Sequence, residues 1–578
     1  MRKSTESQLA KQEYLLGKSK SDVCEALDDW RIQGNVRRLW DADASLWSGT
    51  DEDQSLGWLR TVDYQIKHFD DIYSIAEDVR SDRFKHVVVL GMGGSSLCPD
   101  VMRQTFGVIG GFPELLILDS TVPAQIKTLE ATVDLAKTLF IVSSKSGRTT
   151  EPNALKEYFF DRVQQKVGDG LVGSHFVAIT DPNTRLNKLA ETDRFWHISH
   201  GMPNIGGRYS ALSNFGMLPS ALMGVDVRQF LKRAALMVKS CSSAVPPEIN
   251  PGVALGLIMG TLAKQGRDKV TILTSPSIAA LGMWLEQLLA ESTGKEGTGL
   301  VPVSNENVGS PSVYGSDRLF VYVRLSHDVA TQQDEAISAL EKEGQPVVRI
   351  TLRQKMDLGQ EFFRWEIATA VAGSVLGVNA FDQPNVEASK MVTGKLIAAF
   401  EENGCLKPEI PILQDGNIEL FADSTNAMAI SQISPSKTLK DYLWAHLQRL
   451  HPSDYFSINA YVEMDDPNQD NLQAIRHVVR DRKRVATMLG FGPRFLHSTG
   501  QLHKGGPKNG VFLQITSEDA EDIPIPGRKY SFGVIKRLQA QGDFEVLTNA
   551  GFRVLRVHVG PDTRADLSKL RDVVCDVP

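Results

Sequence analysis

From residue 86 onward the chain alternates short, almost unbroken apolar runs with longer stretches of helical spacing. HVVVLG (86–91), ELLILDS (114–120), TLFIVSS (138–144), HFVAITD (175–181) and FWHIS (195–199) form a first series of such runs. Parallel strands covered on both faces have this uninterrupted apolar character, and their alternation with helices predicts an open α/β unit over residues 81–245. The pattern restarts with KVTILTS, RLFVYVRLS and PVVRITL, which predict a second α/β unit over 246–405. Residues 1–80 read as helical: SDVCEALDDWRI opens on a Ser cap and an acidic first turn. Residues 406–578 carry weaker signals, with YFSINAYVEM, GVFLQITSE and FRVLRVHVG as strands of an additional α/β region.

Composition changes this picture only by exclusion. The 578 residues hold 63 basic and 70 acidic side chains, a net charge of −7, with 42% hydrophobic and 23% charged residues. These are values of a folded globular chain, and mild acidity disfavours a general nucleic-acid binder. The longest apolar stretches, Val253–Ala263 and Ile367–Phe381, fall short of the roughly 20 residues that span a bilayer, so no membrane association is expected. The N-terminal segment MRKSTESQLAKQEYLLGK has no apolar signal region. Five scattered cysteines, none in a CxxC pair or a Cys/His cluster, predict a reduced cytoplasmic setting and no metal site.

Two Gly/Ser-rich turns carry the chemistry. HVVVLGMGGSSLCPDVM is strand, turn and helix; Gly94 and Ser95 stand where a helix N-terminus offers its amides and positive dipole end to an anion. This turn nearly matches GxGxxG, and Asp119 ends the next strand where a ribose-binding acid would stand, so a dinucleotide reading stays open here. The second turn, SSKSGRTTEP, sets Ser144, Lys145, Ser146 and Thr149 before a helix opened by Glu151 and Pro152, with Thr150 as its cap. Hydroxyls, amides and an ammonium converging on one helix end suit a compact phosphate dianion better than a dinucleotide.

Further candidates lie downstream. Leu281, Trp284, Leu285, Leu288 and Leu289 form a buried helical stripe that places Glu291 in the last turn, with Gly294 as the stop. Arg208 follows two glycines in IGGRYS. Gln383, Glu387 and Lys390, spaced by four and three, share one helix face. His497 lies in the Gly-rich FLHSTGQLHKGG, with His503 as a nearby rival.

Together these segments resemble the phosphoglucose isomerase family. S-x-S-G-x-T-x-E at 144–151 is similar to the signature loop of sugar isomerase (SIS) domains, and NIGGRYSALSNFGML to the family's G-G-R-[FY]-S signature. LLAESTGKEGTGLVP resembles its catalytic Glu loop, GVNAFDQPNVEASK its Lys helix, and HSTGQ the His segment of shorter bacterial members. The resemblance is particularly to the isomerase half of fused transaldolase–phosphoglucose isomerase proteins, although no transaldolase barrel is visible. It implies two SIS-type doubly wound parallel-sheet domains, preceded by the helical extension and followed by the C-terminal α/β region that carries HSTGQ.

What the resemblance implies for function is a cofactor-free interconversion of glucose 6-phosphate and fructose 6-phosphate. Glu291 would move the proton between C2 and C1, Arg208 would steady the enediolate, Lys390 and His497 would assist ring opening, and Gln383 would contact the phosphate. In most family members the His segment precedes the Lys helix, whereas here it follows by about a hundred residues. The family analogy also implies a homodimer in which that histidine crosses between subunits. Two other readings remain: a non-catalytic sugar-phosphate sensor that regulates a partner, and an NAD-linked dehydrogenase.

Overall fold

The computed structural model describes residues 9–80, 84–329, 331–406 and 408–577. Within the N-terminal segment expected to be helical, Lys11–Leu15 (β1) is a strand instead. Its side chains are almost all exposed, so no apolar stripe marks it. It is fixed by backbone pairing and by polar contacts: the Gln360 side chain accepts from the Ala10 amide at 3.0 Å, and Arg364 donates to the Ala10 carbonyl at 3.1 Å. The helices after it, including Lys20–Ile32 and Phe69–Arg80, agree with the expected character, but the expected Ser21 cap does not hold: Ser21 is already helical and Ser19 is the N-cap residue, without a side-chain capping bond.

The first sheet contains His86–Gly91 (β2), Glu114–Leu118 (β3), Thr138–Ser143 (β4), Phe176–Thr180 (β5) and His197–His200 (β6), all parallel, in the order β3-β2-β4-β5-β6. Chain order reverses between β2 and β4. A crevice opens outside the carboxyl ends of the strands at such a reversal. Helices α1 (Leu97–Phe106) and α2 (Thr150–Val167) follow those two strands, so both Gly/Ser-rich turns lie at the crevice.

The second sheet has the order β1-β10-β9-β7-β8, built from Lys269–Thr274 (β7), Val301–Val303 (β8), Arg318–Leu325 (β9) and Val347–Leu352 (β10), with β1 antiparallel on its edge. Helix α3 (Leu281–Thr293) follows β7. The two apolar stretches too short for a membrane are explained here: the helix Pro251–Lys264 packs along helix α4 (Leu358–Leu376) in the core. Among the described residues no helix is long and apolar enough to cross a membrane. Helix α5 (Pro384–Asn403) leaves this unit with only Val386 and Ser389 buried.

The C-terminal region is a six-stranded sheet of order β11-β12-β16-β15-β13-β14. Its strands are Leu413–Asp415 (β11), Ile418–Phe421 (β12), Tyr455–Tyr461 (β13), Ala486–Phe491 (β14), Gly510–Ser517 (β15) and Arg553–Val559 (β16), the last four parallel. The short helix α6 (Gly500–Gly505) lies between β14 and β15, and α7 (Phe532–Asn549) between β15 and β16. This unit is not an appendage. Ile523, Ile525, Phe532 and Ile535 complete the core on one face of the first sheet. Tyr455, Met488 and Phe512 pack with Ala290, Val301 and Val303 of the second unit. The segment from β14 to α6 is thereby set against both.

Candidate active site

The crevice between β2 and β4 widens into a cavity of about 530 Å3 whose walls come from all three α/β units. On one side stand the two Gly/Ser-rich turns. Gly94 and Ser95 line the cavity, and the first turn presses against the Arg208 segment so closely that a side chain at Gly94 would collide with the Gly207 carbonyl. Glycine is required there by this approach and not by its dihedral angles.

In the second turn Lys145, Ser146 and Thr149 line the cavity with the first turn of α2, whose positive dipole end faces it. Ser144 stands behind them, buried, its hydroxyl 3.1 Å from that of Thr149. The expected cap is displaced by one residue: Thr149 is the extended N-cap residue and Thr150 is already helical. Thr149 makes no side-chain capping bond, because its hydroxyl is directed to Ser144. Lys145 is not a free cation, since it is ion-paired with Asp181 and donates to the Pro203 carbonyl at 3.2 Å.

Beside the first turn, Arg208 is buried at 2% exposure, and all parts of its guanidinium are engaged. Nε donates to Ser292 Oγ (2.7 Å), Nη1 to Gln383 Oε1 (3.0 Å), and Nη2 to the carbonyls of Ala380 (2.7 Å) and Asp382 (3.0 Å). Glu291 lies 3.3 Å from Nη1. Its other carboxylate oxygen accepts from Gln287 Nε2 at 2.9 Å, one helical turn earlier. Helix α3 does end at Gly294, yet the reason for glycine is proximity: a side chain there would meet the backbone of Leu502 in α6.

Lys295, next in the chain, is buried beneath this cluster. It ion-pairs with Asp382 at 2.6 Å and donates to the Asn379 carbonyl. Burial, and secondarily the Arg208 guanidinium, outweigh the attraction of Asp382 and Glu291 and bring its pKa down to about 7. The unfolded chain therefore binds one more proton than the native one between about 7 and the ordinary value of 10.5, so this residue contributes stability that rises with pH across that window. The unfolding free energy of the wild type relative to Lys295→Met should climb between pH 7 and pH 10, by at most about 1.4 kcal/mol per pH unit. Urea titrations at stepped pH measure it, and a flat difference would refute the assignment.

The expected helix face is formed only in part: Glu387 and Lys390 line the cavity from α5, whereas Gln383 lines it from the non-helical N-cap position just before that helix. Lys390 is half exposed and pairs with Glu387 at 2.7 Å. Gln501 holds the start of this helix, its Oε1 accepting from the amides of Asn385 and Val386 at 3.0 and 3.2 Å, while its Nε2 donates to the Gly294 carbonyl at 3.0 Å.

The two histidines of the Gly-rich segment have opposite surroundings. His497 lines the cavity, with Nε2 2.9 Å from Glu151 Oε1. His503 is buried against the rings of Tyr455, Phe495 and Phe512, and burial pushes its pKa far down. Glu151 is itself buried. Burial alone would raise its pKa, but the charge and hydrogen bond of His497 bring it below the ordinary carboxylate value. Glu151 also accepts from Gln539 Nε2 at 2.6 Å. His497 reaches this partner within one chain.

Three lining residues were not singled out in the sequence. Gln287 sits at i−4 from Glu291, a spacing that marks a shared helix face. Glu151 lies inside the second turn's motif but reads as an ordinary acid of a helix's first turn. Gln539 gives no local signal, because the docking of α7 alone brings it to Glu151. Asp119, the ribose-acid candidate, is already engaged: its Oδ2 accepts from Ser96 Oγ at 3.0 Å and from Arg494 Nε at 2.6 Å. That engagement leaves the dinucleotide reading without its acid.

Comparison with known proteins agrees with this geometry. The family model described as phosphoglucose isomerase matches residues 50–315, which hold both turns, Arg208 and Glu291. The glucose-6-phosphate isomerase of Rubrobacter xylanophilus is 29% identical over 375 residues, covering 57% of this chain and 86% of that protein. That of Prochlorococcus marinus is 26% identical over 484 residues, covering 72% of this chain and 90% of its own. In fold, the crystal structure of a glucose-6-phosphate isomerase from Chlamydia trachomatis superposes with a TM-score of 0.57 at 18% identity, over 68% of this chain and 89% of that one. Gln383, Lys390 and His497 lie beyond the matched residues and are placed by the fold alone. The chain is thus similar in sequence to the phosphoglucose isomerases across both turns, Arg208 and Glu291, and shares their α/β fold.

Proposed function

We propose that the protein interconverts glucose 6-phosphate and fructose 6-phosphate through a cis-enediol(ate), the reaction that opens hexose-phosphate breakdown and closes its synthesis. The observation that carries this reading is one cavity shared by two phosphate-type turns, a carboxylate beside a guanidinium, and a histidine–carboxylate pair.

The sugar phosphate binds with its dianion at Gly94, Ser95, Ser146 and Thr149, at the positive end of α2, with Ser144 orienting Thr149 from behind. His497 handles the ring hydroxyl proton. The ionised Glu151 holds the imidazole in orientation and balances a positive charge on it. Lys390 approaches from α5 and Gln383 from its N-cap, and Lys390 assists ring opening. Glu291 then carries the proton between C2 and C1. Arg208 meets the negative charge that develops on the enediolate. Gln287 holds both halves of the site, since its Nε2 donates to Glu291 at 2.9 Å and to the His497 carbonyl at 2.8 Å.

A sensor that only binds sugar phosphate would need the turns but neither Glu291 nor the His497–Glu151 pair. Within one chain the cavity already brings together both turns, Glu291, Arg208, Lys390 and the His497–Glu151 pair. Fructose 6-phosphate incubated with the protein in D2O and followed by 1H NMR should yield glucose 6-phosphate with deuterium partly incorporated at C2. Binding of the sugar phosphate without any conversion would overturn the reading in favour of the sensor.

A further inference from the structure

Helix α6 begins three residues after His497 and carries a second buried cation that the proposed chemistry does not use. Lys504 is 2.6 Å from Asp543, with side-chain exposures of 2% and 0%. Asp543 also accepts from Gln514 Nε2 at 3.2 Å. It lies on α7, one turn beyond Gln539, whose Nε2 holds Glu151. The contacts close a ring. His497 meets Glu151, Glu151 meets Gln539, α7 runs from Gln539 to Asp543, Asp543 meets Lys504, and α6 leads back to His497.

We propose that Lys504 and Asp543 are positioning residues that set the register of His497 on Glu151. A buried ion pair is a weak source of net stability, and apolar residues of similar volume often replace one without loss. What such a pair supplies is direction: Gln501 ties α6 to the start of α5, and the Lys504–Asp543 ion pair ties its other side to α7, so together they set the rotation of α6. The apolar neighbours of α6 do not supply this. His503 packs against aromatic rings and makes no hydrogen bond through either ring nitrogen. Misplacement of an acid–base group by about 1 Å is enough to slow a reaction up to a hundredfold.

The role rests on the isomerase reading, so the test has one arm that needs turnover and one that does not. The double variant Lys504→Met/Asp543→Leu removes both charges together and leaves neither buried alone. It should retain the thermal transition of the wild type, lose at least about tenfold in kcat and hold KM within about twofold. Independently of turnover, the imidazole 15N titration of His497, assigned by comparison with His497→Asn, should shift relative to wild type. A folded double variant with wild-type kcat and wild-type His497 titration overturns the proposal. If the wild type itself does not turn over, the isomerase reading fails, and the 15N titration alone decides the positioning role. Should the double variant not fold, Asp543→Glu keeps the pair while lengthening it. A lowered kcat with a moved titration then supports the role, and an unchanged enzyme with an unmoved titration refutes it.

Discussion

Glu291→Gln is expected to lower kcat by at least about a hundredfold while leaving sugar-phosphate binding and the fold in place. General acid–base transfer by a positioned side chain is worth roughly 10²–10⁴ in rate, and an amide cannot take the proton. The substitution is otherwise conservative in this site. The new amide oxygen accepts from Gln287 Nε2, now 2.9 Å from the carboxylate, which turns the amide NH2 toward Arg208 Nη1 and lowers the melting temperature slightly. Arg208 loses a charge 3.3 Å away but keeps Ser292, Gln383, Ala380 and Asp382 as acceptors. Conversion of fructose 6-phosphate coupled to NADPH formation, with a thermal melt on the same samples, measures both halves of the claim. A variant that folds and binds like wild type and turns over at the wild-type rate would remove Glu291 from the proton path.

The sequence is a good guide where burial is complete on both faces and a poor one where polar contacts decide. The strands β2, β4, β5, β7 and β9 read as almost unbroken apolar runs because helices cover them on both sides, whereas β10 interrupts its run with the partly exposed Arg349 and Thr351. Strand β1, with four of its five residues exposed, carries no such run and exists because β10 and the buried Gln360 and Arg364 accept and donate to it. Strand β14 lies at the edge of the third sheet, half its residues only partly buried, so its short ATMLGF run gives no clear period.

The site divides the same way. Arg208, Glu291 and the two turns are legible because each is bound to a local pattern: glycines before a cation, an apolar stripe ending in an acid, hydroxyls at a helix start. The choice between His497 and His503 is not, since they are six residues apart in one Gly-rich segment, and only the tertiary fold buries one among aromatic rings and sets the other on Glu151. The order of segments is explained by the third unit. With the histidine carried on the loop after β14, it must come late in the chain, and the packing of that unit on both others returns it to the cavity.

Arg208→Lys should be nearly as damaging as loss of the base, although the charge is kept. The guanidinium spreads its donors over Ser292 Oγ, Gln383 Oε1 and the carbonyls of Ala380 and Asp382, and it presents Nη1 to Glu291. A lysine has one nitrogen on a flexible stem and cannot fill a planar fork, so at least one of these buried acceptors loses its donor. That loss costs about 1–3 kcal/mol of stability. The larger effect is catalytic. The loop from Asn379 to Gln383 is held by two donors, Arg208 and Lys295, and it leads directly into α5, which carries Lys390. Under the proposed mechanism, releasing it displaces Gln383 and Lys390 together, while the charge left behind no longer points at the enediolate. Removing one preorganised electrostatic donor costs roughly 10²–10³ in rate, and kcat/KM is expected to fall by about that factor, with kcat taking most of it. Steady-state kinetics beside urea denaturation separate the two effects. A variant that unfolds more readily but isomerises at the wild-type kcat would show Arg208 to be only a clasp for the 379–383 loop.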